Sequence, residues 1–539
     1  MMKKAIKKLL AALLAVAMVC AMAIPAFAYD TKEDLNTKHE YDAFQIFNGD
    51  VTGNGTDGFK ISNVTWGKNI PHPEDFLEKL TEDSTIGGEF KTDFTPQEAV
   101  AVISKWHDSD NNSIAFARFV CNYIYTDSNA NREPVIQGGH TGGFELPMAG
   151  YYLIVDTSHF SDGDSYHAYN SFLLKVNKDH YYVQITPKVV KPTVEKKVYD
   201  NNDIGSTGEN NGWGSSADHA INEEFQFRLI AKLPASEGRA YDYYNKYTVC
   251  FNDTLSNGIS FDRLDKVEIT NGDGSTPQVI TDAHYKLDEG GLPSSFKLSI
   301  DDVKTCVEDP RFNLNDGATI TVTYTAHLNE NAAVNGSADN KNSVRLQYSN
   351  NPRPDGEYWG YTPNYTPESE VYVYTYQLNN TKYHDNAENG NELAGAGFRL
   401  YSNEVCNAED EIKLKMNDDG TYSRDFSTGA SGVEMISNNK GQFNVKGLDA
   451  GTYYLKETKT PADYNPCGVT KVTITANHNG NHVEFDSSKL STTIINKKAG
   501  GITLPSTGGI GTTIFYVVGG GLMVAAIVLL VTKKRMENK

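Results

Sequence analysis

The stretch GTYYLKETKTPADYN, residues 451–465, alternates apolar and polar side chains in the manner of a half-buried β-strand. Tyr453 and Leu455 point to one face of this predicted strand, and Glu457 shares their parity. An ionised carboxyl group on an apolar face is costly unless a partner compensates it. The stretch therefore predicts a β-domain that holds an acidic group in its core.

Two further polar residues share the inner face near the ends of the same predicted domain. Lys382, in YQLNNTKYHD, has the parity of Leu378, and Asn496, in STTIINKK, has the parity of Ile494. Burial lowers the pKa of an amine and raises that of a carboxyl group, so both groups can be neutral. A neutral amine is a nucleophile, and a protonated carboxyl can polarise an amide carbonyl.

Lys382, Glu457 and Asn496 are thus equipped to form a Lys–Asn amide with loss of ammonia. The competing interpretation is an ordinary Lys–Glu ion pair at the surface, at a strand end. With strand parity as the only evidence, this interpretation is preferred. The choice between the two depends on whether the three side chains meet in a buried site.

The preceding β-rich region contains a similar set with an aspartate as the acid. Lys196 and Asp253 lie in register with apolar neighbours, and Asn342 begins the strand-like NSVRLQY. Asn350 has the same parity and is the alternative acceptor, whereas Lys197 points to the opposite face. The competing interpretation is that Asp253 only caps a turn.

These motifs resemble two families of domains in Gram-positive surface proteins. GTYYLKETKTPADYN, with ELAGAGFRLYS at residues 392–402, resembles the collagen-adhesin B-type (SpaA-like) domain. The resemblance implies that Glu457 catalyses an isopeptide bond between Lys382 and Asn496. FNDTLSNGISF, residues 251–261, resembles the fimbrial isopeptide-forming domain. That resemblance implies the corresponding roles for Asp253, Lys196 and Asn342.

The first domain lacks such a set. After the Tyr-x-Leu of AGYYLIVDTS come Val155 and Asp156, where the third domain has Glu457 and Thr458. We therefore predict no isopeptide bond there.

Both ends of the chain carry targeting signals. Lysines precede the apolar run from Leu9 to Ile24, and Ala26-Phe27-Ala28 is typical of a signal-peptide cleavage site. Residues 510–532 are uncharged and long enough to cross a bilayer, and basic residues follow them. We expect a secreted, cell-surface protein that is anchored to the cell wall after a membrane-tethered precursor stage.

A short motif precedes the apolar run. Leu504, Pro505, Ser506, Thr507 and Gly508 match the LPxTG sorting signal, and motif, apolar span and basic tail stand in the required order. The resemblance implies that a sortase cuts between Thr507 and Gly508. The internal near-match at residues 146–150 has no apolar span behind it, so we interpret it as a turn.

Whether the protein is a monomer or a polymer depends on which amine accepts Thr507. Lys188, in ITPK at the junction of the first two domains, resembles the acceptor lysine of sortase-assembled backbone pilins. Thr186 and Val189 depart from the usual Tyr-Pro-Lys-Asn form of that motif, and Lys191 is an alternative acceptor.

The predicted fold class is mainly β: tandem Ig-like β-sandwich domains, the first with inserted helices, plus an N-terminal signal and a C-terminal transmembrane helix. Helices are predicted in PEDFLEKL, TPQEAVAVISKW and SIAFARFVCNYIY, and the second has a capping box of Thr95 and Glu98. The predicted segments are the signal peptide 1–28, the N-terminal domain 29–190, the isopeptide-forming β-sandwich 191–377, the collagen-adhesin B-type sandwich 378–500, the sorting signal 501–509, the transmembrane helix 510–532 and the basic tail 533–539.

Composition excludes several other functions. The chain has 539 residues and a formal net charge of −20, which disfavours nucleic acid as a partner. The cysteines lack CxxC spacing, and no HExxH, Gly-rich phosphate loop or Ser/His constellation occurs. We expect no cofactor, no metal and no turnover enzyme. Cys250 with Cys306, and Cys406 with Cys467, are possible disulfides that the sequence cannot establish.

The resemblances together predict a sortase-assembled major (backbone) pilin. The expected partners are other copies of the chain, a class C sortase, a housekeeping sortase, tip and base pilins, peptidoglycan and host surface ligands. The alternative is a monomeric wall-anchored adhesin whose first domain binds a host protein or glycan.

Overall fold

The computed structural model describes most of the chain between the two targeting signals. The described residues are 39–54, 58–107, 110–140, 144–158, 168–169, 172–179, 181–183, 185, 189–201, 212–236, 238–354 and 364–499, with the isolated positions 522, 526, 528 and 533. The signal peptide, Lys188 and the sorting motif lie outside these residues.

The chain divides into two compact units. The first comprises Met1–Thr375 together with Ala476–Glu484, and the second comprises Tyr376–Thr475 and Phe485–Lys539. The expected fold class is confirmed, because the described chain is mainly β and forms several separate sheets.

Three α-helices have both ends among the described residues, and they lie in the first unit: α1 (Pro73–Thr81), α2 (Pro96–Ile103) and α3 (Asn111–Thr126). The isolated described positions 522, 526, 528 and 533 are also helical. All three helix predictions are confirmed. The side chain of Thr95 accepts from the backbone N–H of Glu98, and the Glu98 carboxylate accepts from that of Thr95, so the predicted capping box is present.

The helices accompany a five-stranded sheet of order β2-β1-β5-β6, in which β3 also pairs with β1, and a small β4-β7 sheet. Apolar side chains of all three helices and of this larger sheet share one core. A bend joins β4 to β5 at residues 147–149, as expected for the internal near-match of the sorting motif. The strands are β1 (Glu40–Asn54), β2 (Gly58–Trp66), β3 (Ile136–His140), β4 (Phe144–Leu146), β5 (Gly150–Asp156), β6 (Leu173–Asn177) and β7 (Tyr181–Val183).

Two six-stranded sheets form the rest of the first unit. Their orders are β10-β19-β18-β12-β16-β15 and β14-β13-β17-β11-β8-β9, and residues of both sheets contribute to one large apolar core. Their strands are β8 (Thr193–Tyr199), β9 (Trp213–Gly214), β10 (Ser216–Asp218), β11 (Glu224–Leu233), β12 (Val249–Leu255), β13 (Ile259–Asn271), β14 (Gln278–Val279), β15 (Tyr285–Asp288), β16 (Ser295–Ile300), β17 (Ala318–Leu328), β18 (Lys341–Tyr348) and β19 (Ser369–Tyr374).

The second unit contains two five-stranded sheets. One has the order β23-β24-β26-β20-β31, and the other has the order β22-β21-β27-β28 with β25 paired to β21. The first strand, β20, runs parallel to the last strand, β31. The strands are β20 (Tyr376–His384), β21 (Gly397–Tyr401), β22 (Glu411–Ile412), β23 (Leu414–Met416), β24 (Tyr422–Arg424), β25 (Met435–Ile436), β26 (Val445–Leu448), β27 (Gly451–Lys459), β28 (Thr470–Ile474) and β31 (Ser491–Asn496).

A two-stranded sheet completes the structure. It consists of β29 (Ala476–Asn479) and β30 (His482–Phe485), and its residues Ala476–Glu484 group with the first unit.

Neither of the two possible disulfides is formed. Cys250, Cys306, Cys406 and Cys467 all carry thiols that take part in no disulfide. Among the described residues no helix is long and apolar enough to cross a membrane. The apolar run at 510–532 lies outside the described residues apart from positions 522, 526 and 528.

Candidate functional site

Lys382, Glu457 and Asn496 meet in the interior of the second unit. Lys382 on β20 and Asn496 on β31 belong to neighbouring strands of one sheet, and Glu457 on β27 belongs to the other sheet. The Nζ of Lys382 donates to Oδ1 of Asn496 at 2.6 Å, and Nδ2 of Asn496 donates to Oε1 of Glu457 at 2.7 Å. The side chains of Lys382 and Glu457 are both 0% exposed. This arrangement joins an amine, an amide and a carboxyl group without intervening solvent.

The second oxygen of Glu457 is held by its own strand end and the following loop. Oε2 accepts from the backbone N–H of Cys467 at 2.9 Å and from the hydroxyl of Thr460 at 3.2 Å. These two donors leave Oε1 directed at Asn496 and 3.7 Å from Nζ of Lys382. Glu457 is therefore placed to take a proton from the amine and pass it to the amide nitrogen.

A second buried cluster lies between the two six-stranded sheets of the first unit. Lys196 on β8 belongs to one sheet, whereas Asp253 on β12 and Asn342 on β18 belong to the other. The Nζ of Lys196 contacts Oδ2 of Asp253, and both side chains are fully buried. The two sheets are thus bridged by charged and polar groups inside an apolar core.

Tyr324 on β17 connects this second cluster. Its hydroxyl accepts from Nζ of Lys196 at 3.0 Å and from Nδ2 of Asn342 at 2.6 Å, and it donates to Oδ1 of Asp253 at 3.2 Å. Sequence reasoning missed this residue. Its only signal was a tyrosine on the inner face of ATITVTYTAHL, where an aromatic core residue is equally expected.

Burial shifts the titration of the second cluster. It lowers the pKa of Lys196 to about 8, although the charge of Asp253 and its hydrogen bond oppose this shift. Burial also raises the pKa of Asp253 and raises that of Tyr324 well above its ordinary value. Both shifts favour the neutral amine and the protonated acid that attack on an amide requires.

The alternative residues occupy different positions. Asn350 lies beyond β18, and among the described residues neither its amide oxygen nor its amide nitrogen has a hydrogen-bond partner. Lys197 forms an ion pair with Glu195 at 2.9 Å. Lys191 is half-buried. The structure therefore brings Asn342, and not Asn350, into hydrogen-bonded contact with the cluster of Lys196.

In the predicted N-terminal domain, Asp156 accepts hydrogen bonds from the buried side chains of His39 and Ser158. Val155 is fully buried beside it. The expectation that no isopeptide bond forms there stays a prediction.

Two segments of the chain match known families. Residues 379–489 match the SpaA family, a prealbumin-like fold domain, and residues 496–538 match the LPXTG cell wall anchor motif. The chain is thus a surface protein of β-sandwich architecture that is anchored to the cell wall. Most of the residues that match the SpaA family belong to the second unit, and the clustered Lys382 and Glu457 lie among them.

Several solved structures resemble the chain. The full-length major pilin SpaD from Corynebacterium diphtheriae is 16% identical with a TM-score of 0.42, over 86% of this chain and 94% of that one. The T6 backbone pilin of Streptococcus pyogenes is 15% identical with a TM-score of 0.42, over 86% and 97%. The pilus 2b backbone protein of group B streptococcus is 24% identical with a TM-score of 0.38, over 52% and 96%. No curated protein sequence matches the chain significantly.

Proposed function

We propose that the chain is the structural shaft subunit of a covalently polymerised pilus, with each sandwich closed by an intramolecular Lys–Asn isopeptide bond. The observation that carries the proposal is the buried contact of Lys382 with Asn496 and of Asn496 with Glu457. Together with the cell wall anchor motif, these contacts favour a mechanically stabilised surface polymer over a turnover enzyme.

The reaction in the second unit follows from the contacts of Glu457. The Nζ of Lys382 attacks Cγ of Asn496, a C–N bond forms, and the bond from Cγ to Nδ2 breaks. Because Oε1 of Glu457 contacts Nδ2 and lies 3.7 Å from Nζ, it carries the amine proton to the leaving nitrogen, which departs as ammonia. The carboxyl group is regenerated, so no oxidant or cofactor is required.

In the cluster between the six-stranded sheets the same kinds of bond form and break, and the hydroxyl of Tyr324 takes part as an additional group. The neutral amine of Lys196 attacks Cγ of Asn342, and Asp253, which is protonated at the start, gives up its own proton toward the leaving Nδ2 as it takes the amine proton. Tyr324 contacts Asp253, Lys196 and Asn342 together, so we assign its hydroxyl to relay the proton to the leaving Nδ2. The product would covalently join the two sheets.

Polymer assembly would proceed through the sorting signal. A sortase would cleave between Thr507 and Gly508 and transfer Thr507 to Lys188 of the next copy, with Lys191 as the alternative acceptor. Transfer of the last subunit to peptidoglycan by a housekeeping sortase would anchor the fibre. Tip and base pilins would complete it.

The decisive experiment is a denaturing gel of wall extracts from cells that express the chain with its sortases. We expect a ladder of high-molecular-weight species that Lys188→Ala abolishes and that Lys191→Ala, the matched control, preserves. A ladder that only Lys191→Ala abolishes would move the acceptor to Lys191. A single anchored species in the unaltered chain would refute the shaft subunit and establish the monomeric adhesin.

A further inference from the structure

Three buried side chains of types that can bind metals meet in the first unit, away from the two lysine clusters. Asp200 follows β8, Asp218 ends β10, and His478 lies on β29. Their ligand atoms all lie within 4.8 Å of one another, and all three residues are buried. Nε2 of His478 is 3.2 Å from Oδ1 of Asp218 and 3.7 Å from Oδ2 of Asp200.

Hydrogen bonds fix which nitrogen of His478 faces the carboxylates. The hydroxyl of Ser216 donates to the carbonyl oxygen of Gly480 at 2.8 Å, and a carbonyl can only accept. The same hydroxyl oxygen lies 2.8 Å from Nδ1 of His478 and therefore accepts from it. With its proton on Nδ1, a neutral His478 presents the lone pair of Nε2 to Asp200 and Asp218.

The spacing fits a bound cation better than a proton. A charged N–H···O hydrogen bond measures about 2.7–2.9 Å, which is shorter than either distance from Nε2. Ligands bound to tetrahedral Zn²⁺ at about 2.0–2.2 Å lie about 3.4 Å apart, which falls between the two distances in the cluster. One imidazole nitrogen and two carboxylates also match the ligands of first-row divalent metals rather than of calcium or magnesium.

We propose that Asp200, Asp218 and His478 bind a divalent transition-metal cation, with Zn²⁺ the best match. Ser216 is a positioning residue, because its contact with Nδ1 orients the imidazole and keeps Nε2 available. The backbone N–H of Asp218 donates to Oδ2 of Asp200 at 3.3 Å, which helps to orient that carboxylate. The cation would hold β29 against β10 within the first unit.

The sequence could not reveal this site. Its histidine is 260 residues from Asp218, and no metal-binding spacing connects the three positions. The sequence-based expectation of no metal considered only local motifs.

The test is zinc content and thermal stability of the untagged chain from Tyr29 to Thr507, treated with EDTA and then dialysed against ZnCl₂. We expect one tightly held equivalent of zinc per chain and a rise in Tm. His478→Gln and Asp218→Asn should both lose the zinc and the rise in Tm. Ser216→Ala should weaken zinc binding by roughly ten- to a hundredfold.

His482→Gln is the matched control, because His482 is an exposed histidine of the same hairpin and should leave zinc binding unchanged. Circular dichroism of each variant separates loss of metal from loss of fold. Equal zinc content in the unaltered chain and in folded His478→Gln would show surface binding only and overturn the proposal. Absence of zinc from the unaltered chain would also overturn it, leaving a protonated His478 paired with the carboxylates. Neither result affects the isopeptide proposal, which mass measurement tests separately.

Discussion

Lys382 and Asn496 are 114 residues apart in the chain, yet Nζ of Lys382 lies 2.6 Å from Oδ1 of Asn496. The pairing of β20 with β31 causes this proximity, since Lys382 is opposite Ile494 in a parallel register. The amine and the amide are therefore positioned by the backbone of two adjacent strands. Glu457 approaches them from the opposite sheet.

The first prediction concerns the mass of the mature chain. Two isopeptide bonds would lower the intact mass by two ammonia molecules relative to the sequence. Glu457→Gln and Asp253→Asn should each retain the mass of one ammonia, because each substitution removes the acid of one cluster and prevents one bond. The double variant should retain the mass of both. Glu484→Gln changes an exposed carboxylate and should keep both losses. An unshifted mass in the unaltered chain would disprove both bonds.

Tyr324→Phe tests the relay in the first unit. The substitution keeps the buried ring but removes the hydroxyl that contacts Lys196, Asp253 and Asn342. We expect bond formation there to slow by at least about a hundredfold, the usual contribution of one proton-transfer group. The bond of Lys382 should form at its normal rate and serves as the internal control. Unchanged kinetics of both ammonia losses would reduce Tyr324 to a packing role.

The free energy of unfolding of Asn342→Ala should depend on pH, because this substitution leaves the Lys196 amine unreacted. Burial lowers the pKa of Lys196 to about 8 in the folded chain, against 10.5 for an ordinary lysine. Between these values the unfolded chain binds the additional proton, so the free energy of unfolding rises with pH across this window. The expected gain is on the order of 3 kcal/mol.

Denaturant unfolding from pH 8 to pH 10.5 measures this gain, with Lys196→Met combined with Asn342→Ala as the reference. Burial holds the pKa of Tyr324 above this pH range with or without Lys196, and the other tyrosines are the same in both proteins, so the difference isolates Lys196. A parallel pH dependence in the two proteins would contradict the assignment.

Cys467 is expected to act through its backbone alone. Its N–H holds Oε2 of Glu457, whereas its thiol lies 3.4 Å from Nζ of Lys382. Cys467→Ser keeps the N–H and should form the bond normally by intact mass. Thr460→Val removes the other donor to Oε2 and should slow the reaction, with Thr458→Val as a neighbouring control. A failure of Cys467→Ser to react would assign the thiol a direct role.

Strand parity predicted much of the candidate site. Alternation placed Lys382 and Glu457 on inner faces, and the structure finds both side chains buried. The capping box of Thr95 could also be predicted from the sequence, because its signal lies within four consecutive residues. Tyr324 was missed, since a tyrosine in an apolar strand looks like any core aromatic and only its neighbours across the core reveal its hydroxyl contacts. Asp200 and His478 were missed because they meet only after distant strands fold together.

The parallel pairing of β20 and β31 has a mechanical consequence. Tension applied to the two ends of the second unit would enter through one of these strands and leave through the other. With Lys382 and Asn496 joined, the 113 residues between them carry none of that tension. Fully extended, they would otherwise add roughly 380–410 Å per subunit. A fibre of such subunits would therefore resist stretching, because this part of each subunit could not unfold and extend under tension.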